Sequence, residues 1–230
     1  MHQRRNAIGI ETSYSPNQHQ ASYYYDPEEQ SYPIEKGFYE SFKIRMADVF
    51  SRYVVSWTIQ HRESAQVAKQ LIAQAVEQQG ITPGQLTIHA DRGSSMRSKP
   101  VAFLLADLGI TKTHSRPYTS TDNPYSEAHF KTLKYRPGFP DRFDSIVHAR
   151  SFGRPFFDWY NHVHRHSGIG LMTPATVHYG RAEQVRDRRA RVLETAYASN
   201  PERFVRGRPQ PPTLPTAVWI NAPETQEDAL

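Results

Sequence analysis

The sequence contains no cysteine among its 230 residues, which excludes a disulfide scaffold, a cysteine-based zinc site and a thiol nucleophile. It also lacks an apolar run close to the roughly 18 residues that a membrane-spanning helix needs. The first ten residues carry Arg4 and Arg5 but no apolar stretch that is typical of a secretory signal. We therefore expect a cytoplasmic protein with no membrane partner.

Apolar residues are also scarce, at 37% of the chain, with a mean hydropathy of −0.71. This composition allows one domain with flanking segments, or two very small domains. The net charge is +5. It is concentrated between Arg92 and Arg165, a segment that contains 12 Lys and Arg residues but only 6 Asp and Glu residues. A basic central segment favours a polyanionic partner, nucleic acid first. A solvated basic surface fits the charge equally well.

Residues 1–36 are rich in Gln, Ser, Tyr and Pro and show no hydrophobic period, so we predict loop or disorder there. From Phe38 to Val49, alternating apolar side chains predict a half-exposed strand. Strands and helices then alternate, which indicates an α/β fold with a partly parallel sheet. The predicted strands cover 53–59, 86–90 and 110–114, and the predicted helices cover 64–79, 98–108, 125–135 and 144–166.

Three of these helices carry further signals. The first has an apolar stripe and ends at Gly80, and the second is filled by apolar residues after a Ser98 cap. The last should break or kink at Gly153 and Pro155. The stripe of the first helix comprises Ala68, Leu71, Ile72, Ala75 and Val76, and the second helix is filled by Ala102, Phe103, Leu105, Ala106 and Leu108. A short helix begins at Thr173, and a basic, Pro-rich tail follows Arg181.

Two carboxylates stand out in this pattern. Asp91 follows a short strand, at the sheet edge where α/β proteins place their chemistry, and Glu127 lies in the first turn of a helix. Carboxylates brought close together repel unless a divalent cation neutralises them, and Mg²⁺ or Mn²⁺ suits such oxygen ligands. A pair of such ions supports phosphodiester chemistry.

The Glu127 helix also carries cations. Lys131 and Lys134 share a helix face with Glu127, while Phe130 and Leu133 face the predicted core. Cations beside a metal ligand suit DNA phosphates. Considered alone, the same helix also fits a salt-bridged surface helix whose N-terminal Glu is favoured by the dipole.

Several motifs in order, from Asp48 to about Gly180, resemble the DDE transposases of bacterial insertion sequences, whose catalytic domain is similar to retroviral integrases. The most specific are His-Ala-Asp-Arg-Gly-Ser (89–94) and Asp-Asn-Pro-Tyr-Ser-Glu (122–127), separated so that 35 residues lie between Asp91 and Glu127. The remaining motifs are Asp-Val-Phe-Ser-Arg (48–52), Tyr-Val-Val-Ser-Trp (53–57), Phe-Lys-Thr-Leu-Lys (130–134), Trp-Tyr-Asn (159–161), His-Arg-His (164–166) and Thr-Pro-Ala (173–175).

The resemblance implies an RNase H-like mixed sheet flanked by helices. It implies that Asp91 is the second catalytic carboxylate, that Glu127 is the third, and that Lys134 contacts DNA. It also implies metal-dependent cleavage at element ends, strand transfer into target DNA, homo-oligomers on DNA and a nucleoid-associated location. We accordingly divide the chain into a divergent segment (1–47), a core domain (48–180) and a basic, Pro-rich tail (181–230).

The first catalytic Asp of the family, in a Trp-x-x-Asp-Ile-Thr segment, has no match here. Asp26 is the nearest replacement, although Pro27 follows it where a strand should continue. The alternative function is a catalytically inactive remnant that binds DNA or oligomerises, and a third carboxylate near Asp91 and Glu127 would discriminate between the two functions. A cellular nuclease of RNase H type is a more distant alternative.

Other clusters leave alternatives open. His162 and His166 share a helix face and suggest zinc, but no Cys or acidic pair completes the set. Trp159 and Tyr160 are interpreted as core residues that support the catalytic helix. Four arginines after Arg181 fit either a DNA-tracking helix or a solvated one; they are Arg186, Arg188, Arg189 and Arg191.

The abrupt start of the resemblance at Asp48 motivates the hypothesis that a frameshift or fusion replaced the N-terminal end of a transposase frame. We expect the upstream DNA, read in its other two frames, to encode an Asp-Ile-Thr-like segment. Sequencing that DNA tests the hypothesis, which fails if neither frame contains such a segment.

Overall fold

The computed structural model describes residues 6–13, 42–61, 64–90, 95–114, 124–140 and 143–220. Within them the chain forms five strands and six α-helices. The strands are β1 (Asn6–Ser13), β2 (Phe42–Asp48), β3 (Val54–Gln60), β4 (Leu86–Ala90) and β5 (Thr111–His114). The helices are α1 (Ala65–Gln79), α2 (Lys99–Asp107), α3 (Pro124–Lys134), α4 (Ile146–His162), α5 (Pro174–His178) and α6 (Ala182–Ser199). None of the described helices is long and apolar enough to cross a membrane.

The five strands form one mixed sheet in the order β3-β2-β1-β4-β5. β1, β2 and β3 pair antiparallel, whereas β4 lies parallel to both β1 and β5. The prediction of an α/β fold with a partly parallel sheet is confirmed. The sheet includes β1 and β2, so it extends into the segment before residue 48.

The central strand, β1, lies where the sequence analysis predicts loop or disorder, and that prediction is wrong for residues 6–13. Ile8, Ile10 and Thr12 alternate along this segment, which is a strand pattern hidden within a polar neighbourhood. The pattern is too short to fold alone. It forms a strand because β2 and β4 together satisfy the backbone hydrogen bonds on both of its edges.

β2 is confirmed as a strand, but the expectation that it is half exposed is wrong. It lies between β3 and β1, and both neighbouring residues Arg45 and Met46 are buried, at 6% and 0% exposure. The alternation of polar and apolar residues along β2 therefore does not separate an exposed face from a buried one, because both faces of the sheet are covered at this strand. One receives the apolar Met46 and the other receives the charged Arg45.

The face that receives Met46 is covered by α1 and α2. The whole predicted α1 stripe is buried there together with Ile88 and Ala90 of β4, and Ser64 caps the helix by accepting a hydrogen bond from Val67. The prediction for α2 is wrong in part. This helix buries Val101 and Leu105, whereas Phe103 is 67% exposed because it lies on the opposite side of the helix.

The other face is covered by α4 and α3. Phe156, Phe157 and Tyr160 of α4 cluster with Leu133 of α3 and with Val54. The buried side chain of Asn161 ties α4 to the start of β3. Its Oδ1 accepts from the Val54 N–H at 2.8 Å and its Nδ2 donates to the Val54 carbonyl at 2.9 Å. This pair explains the asparagine in the Trp-Tyr-Asn segment.

The predicted break at Gly153 and Pro155 does not occur, because α4 runs through both residues. Pro155 removes the hydrogen bond to the carbonyl of Ser151, but Ser151 is exposed, so water can satisfy that carbonyl. Gly153 is buried and lets the helix approach the sheet. A Cβ there would lie 3.1 Å from the ring of Trp57 and 3.3 Å from Ile59.

We predict that Gly153→Leu destabilises the fold. The added side chain has no room against Trp57, and overpacking of this kind lowers the free energy of unfolding by about 1–3 kcal/mol. Replacing a glycine within a helix raises the free energy of unfolding by only about 0.5–1 kcal/mol, so the net effect is a loss of stability. Urea unfolding followed by circular dichroism should show a lower midpoint. Gly168→Ala is the matched control, since no neighbouring atom would lie within 4 Å of the added methyl group. An unchanged Gly153→Leu midpoint would contradict the packing argument.

Candidate active site

The register between β1 and β4 defines the centre of the site. These parallel strands pair from Asn6 with Leu86 through Ile10 with Ala90. Glu11 is the next residue of β1 after this last pair, and Asp91 follows Ala90 directly in the chain. Asp91 itself lies outside the described residues. The parallel register ends at the pair Ile10–Ala90, and the next residue in the sequence after each of these two is acidic.

The antiparallel register extends this row across the sheet. Glu11 is opposite Arg45 of β2, and Arg45 is opposite Trp57 of β3. Directly opposed residues belong to the same face of a sheet. Trp57 stacks on Phe157 of α4 with ring centroids 4.6 Å apart. The register position of Glu11 therefore belongs to the face that α3 and α4 cover.

Tyr160 connects this row to α3. Its ring meets the buried ring of His129 in an edge-on contact, with centroids 4.3 Å apart. Burial raises the pKa of Tyr160 to about 12, while the positive charges of Arg45 and Arg52 act in the opposite direction. Tyr160 therefore lies in the field of both cations while it contacts α3. The interpretation of Tyr160 as a buried support for this helix is confirmed. Trp159 is half-buried, and the guanidinium carbon of Arg136 lies 3.7 Å from the centroid of its ring.

α3 carries the other predicted site residues. Its backbone places Glu127 in the first turn, two residues before His129. Leu133 is buried, as predicted. Lys131 is exposed and Lys134 is half-buried, and burial lowers the pKa of the Lys134 ammonium. The helix therefore presents one acidic and two basic residues along its length. Their roles toward metal and DNA stay predictions.

Asp48 is a structural residue in this fold. Its carboxylate accepts hydrogen bonds from the backbone of Phe50 and from the hydroxyl of Ser51, and it lies 3.2 Å from Nδ1 of His178 in α5. Burial acts to raise the pKa of Asp48, but the His178 and Ser51 hydrogen bonds outweigh burial and lower it. These contacts hold the turn after β2 against α5.

The histidine cluster differs from the prediction. His162 and His166 do not share a helix face, because α4 ends at His162 and His166 instead bridges to Met172. The rings of His164 and His166 meet edge-on at 4.4 Å. In the described part of the chain, no three histidine or acidic side chains come together as a metal site.

Glu11 is not among the site residues predicted from the sequence. The signal in the sequence is the spacing of Ile8, Ile10 and Thr12, which recur at every second position. That spacing predicts a strand, and Glu11 is the acidic residue within it. Asp26, the replacement proposed from the sequence, lies outside the described residues.

A mixed sheet in this order, with helices on both faces, defines an RNase H-like class. Solved structures share the fold. The bovine immunodeficiency virus (BIV) integrase catalytic core is 17% identical with a TM-score of 0.51, over 78% of this chain and 97% of that one. A chain of the simian T-cell lymphotropic virus intasome, solved with the PP2A regulatory subunit B56 gamma, is 18% identical with a TM-score of 0.52, over 76% of this chain and 55% of that one.

Sequence relatives identify the family. Two integrase core domain models match residues 32–120 and 108–174. The transposase for insertion sequence element IS904 of Lactococcus lactis subsp. lactis (strain IL1403) is 29% identical over 128 residues, which is 55% of this chain. The chain spans about half the length of that curated relative, 50%. The chain carries an integrase core domain and is similar to the DDE transposases of insertion sequences.

We predict that protonation of His166 makes the fold less stable in mild acid. Burial, followed by the charges of His164 and Arg52, lowers the pKa of His166 to about 4, whereas a free histidine titrates near 6.5. Between these pH values the unfolded chain binds more protons, so the free energy of unfolding falls as the pH falls. Urea unfolding at pH 7, 6, 5 and 4.5 should show this slope.

His166→Gln should flatten part of that slope, while His164, whose pKa burial also lowers, retains the remainder. The exposed His162 provides a matched His162→Gln control. If His166→Gln and wild type have the same slope, His166 is not the group responsible.

Proposed function

We propose that this domain cleaves DNA at the ends of an insertion sequence and joins the freed 3′-hydroxyl to target DNA, using Glu11, Asp91 and Glu127 as its carboxylates. The observation that carries the proposal is the strand register, in which Glu11 follows the Ile10–Ala90 pair and Asp91 follows Ala90. Glu11 thus takes the place of the missing first Asp, and Asp26 is not needed for it.

The chemistry of these three residues fits a divalent metal. Carboxylate oxygens are the ligands that Mg²⁺ and Mn²⁺ prefer, and three of them would repel one another without a cation. Asp91, Glu127 and Glu11 would hold the metal. When bound, such ions lower the pKa of an attacking hydroxyl and stabilise the oxygen that leaves phosphorus.

The chain's own cations support DNA binding along α3. Lys131 and Lys134 lie one and two turns after Glu127, where they can neutralise phosphates on either side of the bond to be cut. Lys134 is half-buried, so its ammonium position is better defined than that of the exposed Lys131. We infer that Lys134 fixes the register of DNA and that Lys131 adds affinity.

The assembly follows from the reaction. Joining two element ends to one target requires two active sites held together, so we propose a homo-oligomer on DNA. The intasome chain with the same fold is itself part of an assembly by its name. Chromosomal DNA in the cytoplasm, within the nucleoid, is the corresponding location.

One observation favours the alternative function, an inactive remnant that binds DNA. Arg45 is 6% exposed and stands opposite Glu11 in register. A buried guanidinium requires a nearby anion, and a carboxylate that neutralises Arg45 has less charge to offer a metal. In the remnant, Arg45 replaces the metal as the counter-ion of Glu11, and the domain still binds DNA although it no longer cleaves it.

Mn²⁺-dependent nicking of supercoiled DNA distinguishes the two functions. We expect wild type to nick, and we expect Glu11→Gln, Asp91→Asn and Glu127→Gln each to reduce nicking by a factor on the order of 10³ or more, since each removes a metal ligand. Glu183→Gln, on the exposed start of α6, is the matched control and should retain wild-type nicking.

The outcomes separate clearly. A Glu11→Gln protein that nicks like wild type refutes the role of Glu11, whatever Glu127→Gln does. Wild type that binds DNA in a gel-shift assay but does not nick supports the remnant. In that case Arg45→Met should raise Mn²⁺ affinity, because it frees a carboxylate from its buried counter-ion.

A further inference from the structure

The C-terminal tail is packed onto the domain along a defined path. After α6, Pro211 is buried, and Leu214 packs on the cluster formed by Ile169, Met172 and Val177. A Cβ at Gly170, which has φ of +66°, would lie 3.2 Å from the carbonyl oxygen of Thr213. The tail backbone therefore passes close above Gly170, where a larger residue would be strained and would require the tail to shift.

The path ends at the helix that carries Glu127. The carbonyl oxygen of Trp219 accepts a hydrogen bond from the hydroxyl of Tyr125 at 3.2 Å. Tyr125 lies in the first turn of α3, two residues before Glu127. We call residues 211–219 the strap. Its prolines at 211, 212 and 215 favour an extended, stiff backbone, so the strap can transmit its anchorage at Leu214 to Tyr125.

A second contact holds Tyr125 from the sheet. The guanidinium of Arg52 lies 3.7 Å from the centroid of the Tyr125 ring, which is a close cation–π distance. The Arg52 side chain is itself held, since it donates a hydrogen bond to the carbonyl of Val49 at 2.6 Å. Tyr125 is thus held between the turn after β2 and the strap.

The two halves of α3 are anchored differently. The C-terminal half is held by apolar burial, because Leu133 packs on Phe156 and Phe157 and the buried His129 packs on Tyr160. In the first turn, the contacts that the structure describes are those of Tyr125 with Arg52 and Trp219. A metal-binding carboxylate has to be held to within about 0.5 Å, and the two contacts of Tyr125 restrain the turn that carries Glu127.

We propose that Tyr125 is a positioning residue for Glu127, clamped between Arg52 and the C-terminal strap, so that the tail sets the geometry of the catalytic helix from a distance. The proposal rests on the proposed role of Glu127 in metal-dependent cleavage. The C-terminal tail thereby has a function, although the proposed cleavage of DNA does not otherwise involve it.

The first test measures α3 directly and needs no activity. Hydrogen exchange of the full-length protein, without metal, reports the opening of the backbone bonds of residues 128–131. We expect exchange there to become at least about tenfold faster in Tyr125→Leu, which removes both contacts, and in Leu214→Ser, which releases the strap far from α3. Tyr125→Phe keeps the ring over Arg52 and should show a smaller increase.

Two matched controls keep the test specific. Tyr179→Phe removes a comparable exposed hydroxyl, which donates to Tyr53 at 3.1 Å. Val205→Ser changes an almost fully exposed apolar residue shortly before the strap, at 97% exposure. Both should exchange like wild type in α3. Unchanged exchange in Tyr125→Leu or in Leu214→Ser overturns the proposal, whatever the DNA assay shows.

The second test links the clamp to the site. We expect Tyr125→Leu and Leu214→Ser to raise the Mn²⁺ concentration for half-maximal nicking by about tenfold, with partial recovery at saturating Mn²⁺. A residue that only stabilises the fold would lower the maximum without moving this midpoint, and that result refutes positioning. If wild type does not nick at all, the proposed function fails, while hydrogen exchange still decides whether the strap fixes α3.

Discussion

The backbone pairing of β1 is the interaction on which the rest of this structure depends. β1 pairs antiparallel with β2 on one edge and parallel with β4 on the other, so it joins the hairpin side of the sheet to its parallel side. Without it, β2 and β4 would each expose an unpaired edge. The same pairing brings Glu11 level with the end of β4. One strand thus completes the sheet and supplies the acidic residue that the proposed chemistry needs.

The buried guanidinium of Arg45 destabilises this sheet unless an anion lies near it. A buried guanidinium is tolerated only when an anion offsets its desolvation, and the register sets Arg45 opposite Glu11. Burial raises the pKa of Tyr160 and the charge of Arg45 acts against that rise, and the Tyr160 ring contacts His129 of α3. In the function proposed here, Arg45 and a divalent metal compete for the carboxylate of Glu11, and that competition distinguishes an active recombinase from a DNA-binding remnant. The strap contacts Tyr125, two residues before the proposed ligand Glu127.

Much of the fold was predictable because the signals were local. The α1 stripe and the Gly80 end agree with the structure, and the predicted strand at 86–90 matches β4. The errors have physical causes. Pro155 stays within α4 because the carbonyl it deprives of a bond belongs to the exposed Ser151. Phe103 is exposed because apolar residues on two sides of α2 compete for one buried face. β1 is stabilised by its partners rather than by its own composition.

The sequence alone determined the family resemblance, the α/β alternation and the acidic and basic residues of α3, because each depends on residue type and short spacing. Only the tertiary structure decided which strand is central, that Glu11 is level with the end of β4, and that Tyr125 is held by Arg52 and Trp219. These relations join residues that lie 30 to 94 positions apart in the chain, by the numbering of the sequence. No local pattern encodes such distances. They are set by strand pairing and by packing, which fix the register only when the whole sheet has formed.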